Sequence, residues 1–465
     1  MNGSRNVVGD LPVDSSLPQL PVALDAAAMQ GVFEPHLRAV GRRLERCAID
    51  RVKYRPRRNL AVSYRLSVRD ADGRLDEQTV AARFCTGGES LRRWQQLPSA
   101  SLQPSMPASL HEGALDMVAW WWPLDPKLGE AARWLGDGER LGTDLLPAVA
   151  TCLAGVGARL LAHDVALAQL VPELRVSARA RLWVEPARGA PAQAHTVYAK
   201  ADVERSGEVT QAVLRALHES PAARAGRLLT PRPLLWHADF GTQWQTALPG
   251  RALLDVEPVP GIRTSEQVGA MLAALHGTAV PASRRSACGV LCERLDLVAR
   301  TLALVRGDDA AGLAQRLSAG LVHLQGAALV TLHGDLHPRN LLVHEGQLGL
   351  IDLDNVRHGP ALLDLGDWIA DAMYRALLDS RPIAAVWPAC RAFVDAHADV
   401  SGSRIEPAAL AWSVAHSLFA QRVWRCLVNL KPGRFALVPR LLALAEGILR
   451  HGLPGDADAP LQEAA

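Results

Sequence analysis

The chain has 465 residues, 49% of them apolar and 21% charged, with a formal net charge of +2. That balance excludes wholesale disorder and gives no signature of nucleic-acid or membrane-surface binding. The length exceeds what one hydrophobic core organises, so two or three domains are expected.

Seven cysteines, odd in number and scattered, do not make a disulfide scaffold and suit a reducing cytoplasm. Cys288 and Cys292 lie close together but have no second pair at zinc spacing. The opening "MNGSRNVVGDLPVDSSLPQLPVALD" mixes charge and proline where a secretory leader needs a basic start and an apolar run. Residues 1–35 are therefore expected to be a flexible tail. The longest uncharged run, Leu145 to Ala158, is too short to cross a bilayer.

An internal repeat follows. Residues 54 to 66, "YRPRRNLAVSYRL", and 170 to 182, "LVPELRVSARARL", share a proline, an alternating strand pattern and a closing Arg-Leu. The basic cluster in the first, "RVKYRPRRN", reads as a solvated strand face. A polar connection containing Gly leads in both to a second strand, "TVAARF" (79 to 84) and "TVYAKA" (196 to 201). Helical "GGESLRRWQQL" and "SGEVTQAVLRAL" come next, then "LDMVAWWWPLDPKL" and "GTQWQTALPGRALL", each a strand stopped by proline. The expected division is thus a small β-rich lobe at 36–138, a helical connector at 139–165, and a second copy of the lobe at 166–250.

From 251 to 465 amphipathic helices dominate, among them "SEQVGAMLAALHGTAV", "LLDLGDWIADAMYRALL" and "AWSVAHSLFAQRVWRCLVNL". The last segment, "GDADAPLQEAA", is expected to fray. One stretch breaks the helical pattern: "LVTLHGDLHPRNLLVHEGQLGLIDLDN", residues 329 to 355. Two short β-like runs flank a loop, and "NLLVHEGQLGLID" reads as a hairpin turning at Glu345-Gly346. That hairpin brings Asn340 and Asp352 together, with Asp335 on the loop before it. A carboxylate and an amide oxygen form a hard-donor set for Mg²⁺, completed by waters and phosphate. A second carboxylate that is not a ligand can accept the proton of an attacking hydroxyl.

"HGDLHPRN" followed by "IDLD" resembles the aminoglycoside phosphotransferase and choline kinase family of small-molecule kinases. "TALPGRAL" looks like that family's hinge, "MLAALHG" like its Leu-x-x-Leu-His helix, and "GPALLDLGDWI" like the segment after its metal aspartate. The resemblance implies an α+β, bilobal protein-kinase-like fold, here with an additional degenerate small lobe at the N-terminus. It implies catalytic roles for Asp335 and His333, the latter as a structural member of the loop, and metal ligation by Asn340 and Asp352. Lys200 would hold the phosphates, Glu208 opens the following helix as its uncertain partner, and Thr246, Ala247 and Leu248 would receive the adenine.

Two departures stand out. Gln211 occupies a position where the family often has Glu, and the turn before Lys200 is "VPELRV" with no Gly-rich loop. In the first copy Arg83 stands where Lys200 stands, which suits a lobe used for packing, dimerisation or shaping the substrate entrance. Asp364 and Asp367 are expected to cap or brace. The reading is a cytoplasmic kinase that uses ATP (or GTP) and Mg²⁺ to phosphorylate a hydroxyl of a small-molecule acceptor, sugar-like rather than aminoglycoside. A homo-oligomer is allowed, and neither nucleic acid nor membrane is called for. The alternative is a nucleotide-binding pseudokinase scaffold.

Overall fold

The computed structural model describes residues 11–98, 106–281 and 288–454, so the closing "GDADAPLQEAA" lies outside the described residues. The chain forms two compact units, one of Met1–Glu208, Leu234–Thr246 and Val428–Lys431, the other of Val209–Pro233, Ala247–Leu427 and Pro432–Ala465. None of the described helices is long and apolar enough to cross a membrane.

The first unit holds two antiparallel sheets of five strands each. One comprises β1 (Arg43–Arg55), β2 (Asn59–Arg69), β3 (Leu75–Phe84), β4 (Ser109–Glu112) and β5 (Met117–Trp121), in spatial order 1-2-3-5-4. The other comprises β6 (Arg159–Val171), β7 (Arg175–Glu185), β8 (Gln193–Asp202), β9 (Pro233–His237) and β10 (Thr242–Thr246), in order 6-7-8-10-9. The topology is the same in both, and the likeness extends to single residues. The β1–β2 and β6–β7 turns each place a proline before a residue with positive φ, Arg57 at 56° and Glu173 at 58°. In each turn an aspartate carboxylate from elsewhere accepts that residue's N–H at 2.8 Å, Asp14 for Arg57 and Asp125 for Glu173. Arg83 pairs with Ala61 and Val118, and Lys200 with Ser177 and Gln243, so the two cations hold equivalent register positions.

What differs is how the faces are covered. Strand β7 alternates, burying Val176, Ala178, Ala180, Leu182 and Val184. Strand β2 buries five residues in succession, Leu60 to Tyr64. Its second face lies under the helix Ala26–Ala39, whose Phe33 meets Tyr64 edge-on at 5.3 Å, while the Tyr64 hydroxyl donates to the Ala23 carbonyl at 2.7 Å. The expectation of a flexible tail through residue 35 is therefore corrected from residue 11 onward. Met29, Phe33 and Leu37 form a buried helical stripe, and Asp25 caps the helix by accepting from Ala27 and Ala28.

The connector also departs from expectation. Its helical part is Glu130–Gly136, Gly138–Asp144 and Leu146–Ala154, and β6 already begins at Arg159. Trp134, Leu141, Leu146 and Val149 from these helices join residues of both sheets in one apolar cluster. Arg83 forms a buried ion pair with Glu173 in the β6–β7 turn, so the first copy's cation is spent on packing within this unit.

The second unit is mainly helical, with two small sheets: β11 (Arg251–Ala252), β13 (Leu341–His344) and β14 (Gln347–Leu350) in one, β12 (Leu329–Leu332) and β15 (Arg357–Pro360) in the other. The β13–β14 hairpin turns at Glu345 and Gly346 as expected, both at positive φ (49° and 78°), the geometry of a type I′ turn. The helix Ile262–His276 lies against the helix Trp387–Ser401 so closely that a Cβ at Gly269 would meet the Phe393 carbonyl oxygen at 2.2 Å.

Candidate active site

The loop between β12 and β13 carries His333, Gly334 and Asp335, and its shape is dictated by Asp364 on the helix Leu362–Leu378. Asp364 is fully buried; one carboxylate oxygen accepts the His333 N–H at 2.7 Å and the other the Gly334 N–H at 2.9 Å. Burial works to raise this carboxyl, but the hydrogen bond and charge of His276, the charge of His333 and the Gly334 amide hold it below the usual carboxylate range. His276 meets the same carboxylate at 3.2 Å through Nε2 and His397 at 3.0 Å through Nδ1. Only glycine fits at 334, where φ is +78° and a Cβ would lie 2.5 Å from the Asn355 carbonyl.

His333 is a brace, not a group that reaches a substrate. Its ring accepts the Asp335 N–H at Nδ1 (3.3 Å), which leaves Nε2 protonated and donating to the Ile351 carbonyl at 3.0 Å. Both ring nitrogens are thus spent on backbone. The catalytic role given to His333 is corrected accordingly, and its structural place in the loop stands.

Asn340 and Asp352 are brought together through the hairpin. Leu341 faces Leu350, and the Ile351 N–H donates to the Asn340 carbonyl at 2.9 Å, one residue before Asp352. The Asn340 amide nitrogen donates to the Asp335 carbonyl at 3.0 Å, which commits its NH₂ to the loop and turns its oxygen away from it. Asp352 lies in the left-handed region at φ 61°, ψ 53°. Among the described residues no three His, Cys, Asp or Glu side chains gather as a metal site. One amide oxygen and one carboxylate still suit Mg²⁺, which takes few protein ligands and keeps waters and phosphate oxygens for the rest.

Asp335 itself was read from the sequence, but its surroundings were not. Arg425, from the helix Trp424–Asn429, forms an ion pair with its carboxylate, and His337 Nε2 lies 3.7 Å away. Burial alone would raise the Asp335 carboxyl; the charges of Arg425 and His337 and the Arg425 hydrogen bond hold it below its ordinary value. Burial pushes His337 down to about 4, against the pull of Asp335. Beneath them Asp371 takes Arg375 at 2.5 Å and Arg422 at 2.8 Å. Asp367 accepts from the Ser417 hydroxyl at 2.6 Å, and burial raises its carboxyl to about 6. Arg422 and Arg425 sit in and just after a π-helical turn, Leu418–Val423, which interrupts the helical period and re-aims the side chains after it. The basic character of "AQRVWRCLVNL" was the only sequence signal for them.

In the other unit Lys200 is half-buried on β8 and Glu208 is exposed in the first turn of the helix Gly207–His218, while Gln211, which falls in the second unit, is buried. Thr246 ends β10, and Ala247 and Leu248 begin the segment of the second unit that follows.

Residues 241–393, which contain the loop, the hairpin and Asp364, match the model of the phosphotransferase enzyme family. That match covers about a third of the chain. The described residues form a mixed α+β structure. Similar solved structures include a choline/ethanolamine kinase family protein from Mesorhizobium loti (18% identity over 58% of this chain and 84% of that chain, TM-score 0.39). Others are choline kinase from Cryptosporidium parvum (12%, 62% and 90%, 0.44) and a glucosamine kinase (14%, 87% and 91%, 0.40). None of the curated proteins matches the chain.

Proposed function

We propose that this protein is a phosphotransferase that transfers the γ-phosphoryl group of ATP, with Mg²⁺, to a hydroxyl of a small, sugar-like molecule. The observation that carries the reading is Asp335, exposed enough to meet a substrate (side chain 20% accessible) on a loop locked by Asp364 and tied to Asn340. Asp335 takes the hydroxyl proton as the acceptor oxygen attacks. Asn340 and Asp352 would hold Mg²⁺, which neutralises charge on the phosphates. Lys200 binds phosphate oxygens, with Glu208 at the start of the following helix, and Thr246 to Leu248 receive the adenine through their backbone. The rigidity of the loop matters because this chemistry depends on positioning and electrostatics.

The cationic surroundings of Asp335, with Arg425 and Arg422 close by, disfavour a polycationic aminoglycoside as acceptor. The first sheet serves as a packing lobe whose Arg83 supports the β6–β7 turn. The enzyme acts in the cytoplasm. Turnover of Mg·ATP against a panel of sugars, amino alcohols and aminoglycosides tests the reading, with ATP binding measured separately. Tight Mg·ATP binding without phosphorylation of any of them would favour a nucleotide-binding scaffold instead.

A further inference from the structure

The basic side chains around Asp335 outnumber their acidic partners. Asp371 is shared by Arg375 and Arg422, and Asp335 is taken by Arg425. Arg294, on the helix Cys288–Arg306, joins the same cluster: its guanidinium lies 4.4 Å over the Trp424 ring, and its Nε donates to the Ala420 carbonyl inside the π-helical turn at 3.1 Å. Those two contacts fix its direction, and neither neutralises its charge. Among the described residues no carboxylate forms an ion pair with it. Burial, and then the charge of Arg425, push its guanidinium down to about 10 with no carboxylate opposing them. A half-buried, pre-aimed cation beside another cation is costly unless an anion arrives.

The Arg425–Asp335 pair has a complementary defect. A carboxylate held by a guanidinium is a weaker proton acceptor, so the pair restrains the base the reaction needs. We propose that the acceptor carries an anionic group, carboxylate or phosphate, a few bonds from the hydroxyl it presents, and that Arg294 and Arg425 receive this group. This rests on the phosphotransferase reading and narrows its acceptor. When the anion binds, Arg425 turns from Asp335 to the acceptor, and Asp335 is freed. The acceptor oxygen then forms a bond to the γ-phosphorus, the bond from that phosphorus to the bridging oxygen of ADP breaks, and the hydroxyl proton passes to Asp335. Without an anionic acceptor the base stays latched, which also limits wasteful transfer to water.

The test uses the full chain and matched probes: glucose, gluconate and glucose 6-phosphate. Two readouts are taken, Mg·ATP turnover and, without nucleotide, thermal shift with each probe. The expected result is kcat/KM at least tenfold higher for gluconate or glucose 6-phosphate than for glucose, the better of the two naming the anion. Arg294→Gln should raise KM for the charged probe about tenfold or more and bring the ratio close to one, and Arg294→Lys should restore part of it. Arg425→Gln should raise ATP hydrolysis in the absence of acceptor. Turnover that favours glucose, or a charge preference unaltered in Arg294→Gln, overturns the inference while leaving the phosphotransferase reading intact. A thermal shift with the charged probes that Arg294→Gln abolishes, without turnover of any probe, supports the anion site and counts against the reaction.

Discussion

Replacing Arg83 with alanine removes one half of an ion pair whose side chains are 8% and 7% accessible. The partner, Glu173, would keep a buried carboxylate without its counter-charge, in a turn already at positive φ and tied by its N–H to the nearly inaccessible Asp125. Breaking such a pair costs about 3–5 kcal/mol, most of it the penalty of the stranded charge. For a unit of this size that lowers the melting temperature by roughly 6 to 20 °C. The loss should be read from chemical and thermal unfolding followed by tryptophan emission, because Trp120, Trp121, Trp134 and Trp244 are all buried in this unit. Changing both partners to methionine should recover most of the loss, since a buried pair replaced by apolar side chains of similar size is often neutral. A cost below about 1 kcal/mol for Arg83→Ala, or a double variant no better than the single one, would refute the argument that this pair holds the β6–β7 turn.

Four further outcomes are expected. Asp335→Asn should keep Mg·ATP affinity and lose about 10² to 10⁴ in turnover, measured under saturating ATP; unchanged turnover removes Asp335 from the chemistry. Asp352→Ala should abolish Mg²⁺-dependent ATP binding in calorimetry while the far-ultraviolet spectrum is retained, and equal affinity in variant and parent would rule out the ligand role. Lys200→Ala should weaken ATP binding by about 1.5 to 3 kcal/mol, whereas folded Arg83→Ala should not; the reverse pattern would invert the two copies. Burial holds His416 at about 4 in the fold against 6.5 when unfolded, so the unfolded chain takes up the proton first as pH falls. The contribution of His416 to stability is complete above about pH 6.5 and is lost down to pH 4, up to about 3 kcal/mol, and His416→Phe should flatten that part of the pH–stability curve.

The repeat was legible because its signals are local. A proline, a turn and alternating apolar residues recur at matched spacing, and the structure preserves them down to the positive-φ residue of each turn. The helix Ala26–Ala39 was missed: Met29, Phe33 and Leu37 carry its period, but Pro12, Pro18 and Pro21 just before it gave the segment the look of a tail. The loop around Asp335 drew notice because carboxylates in β-like sequence need a reason to be there. Its partners did not: Glu173 lies 90 residues from Arg83, and Arg425 lies 90 from Asp335, and nothing local announces either pairing. The π-helical turn that aims Arg425 belongs to a continuous amphipathic pattern, from which an i+5 insertion cannot be read. His333 shows the limit of motif transfer, since the motif names the residue and only the hydrogen bonds show that both its nitrogens face the backbone.

With the metal role proposed for Asp352, its left-handed backbone sets selection for heat resistance against selection for activity. A side chain in that conformation costs on the order of 1 kcal/mol, which glycine avoids. Gly334 and Gly346, also at positive φ in the same neighbourhood, carry no such charge group and no such cost. A library sorted only by survival on heating would therefore accept glycine at 352, and the enriched clones would be sturdy and inert. One sorted by phosphate transfer would keep the carboxylate and the strain together, so the residue that survives at this position reports which pressure the population was under.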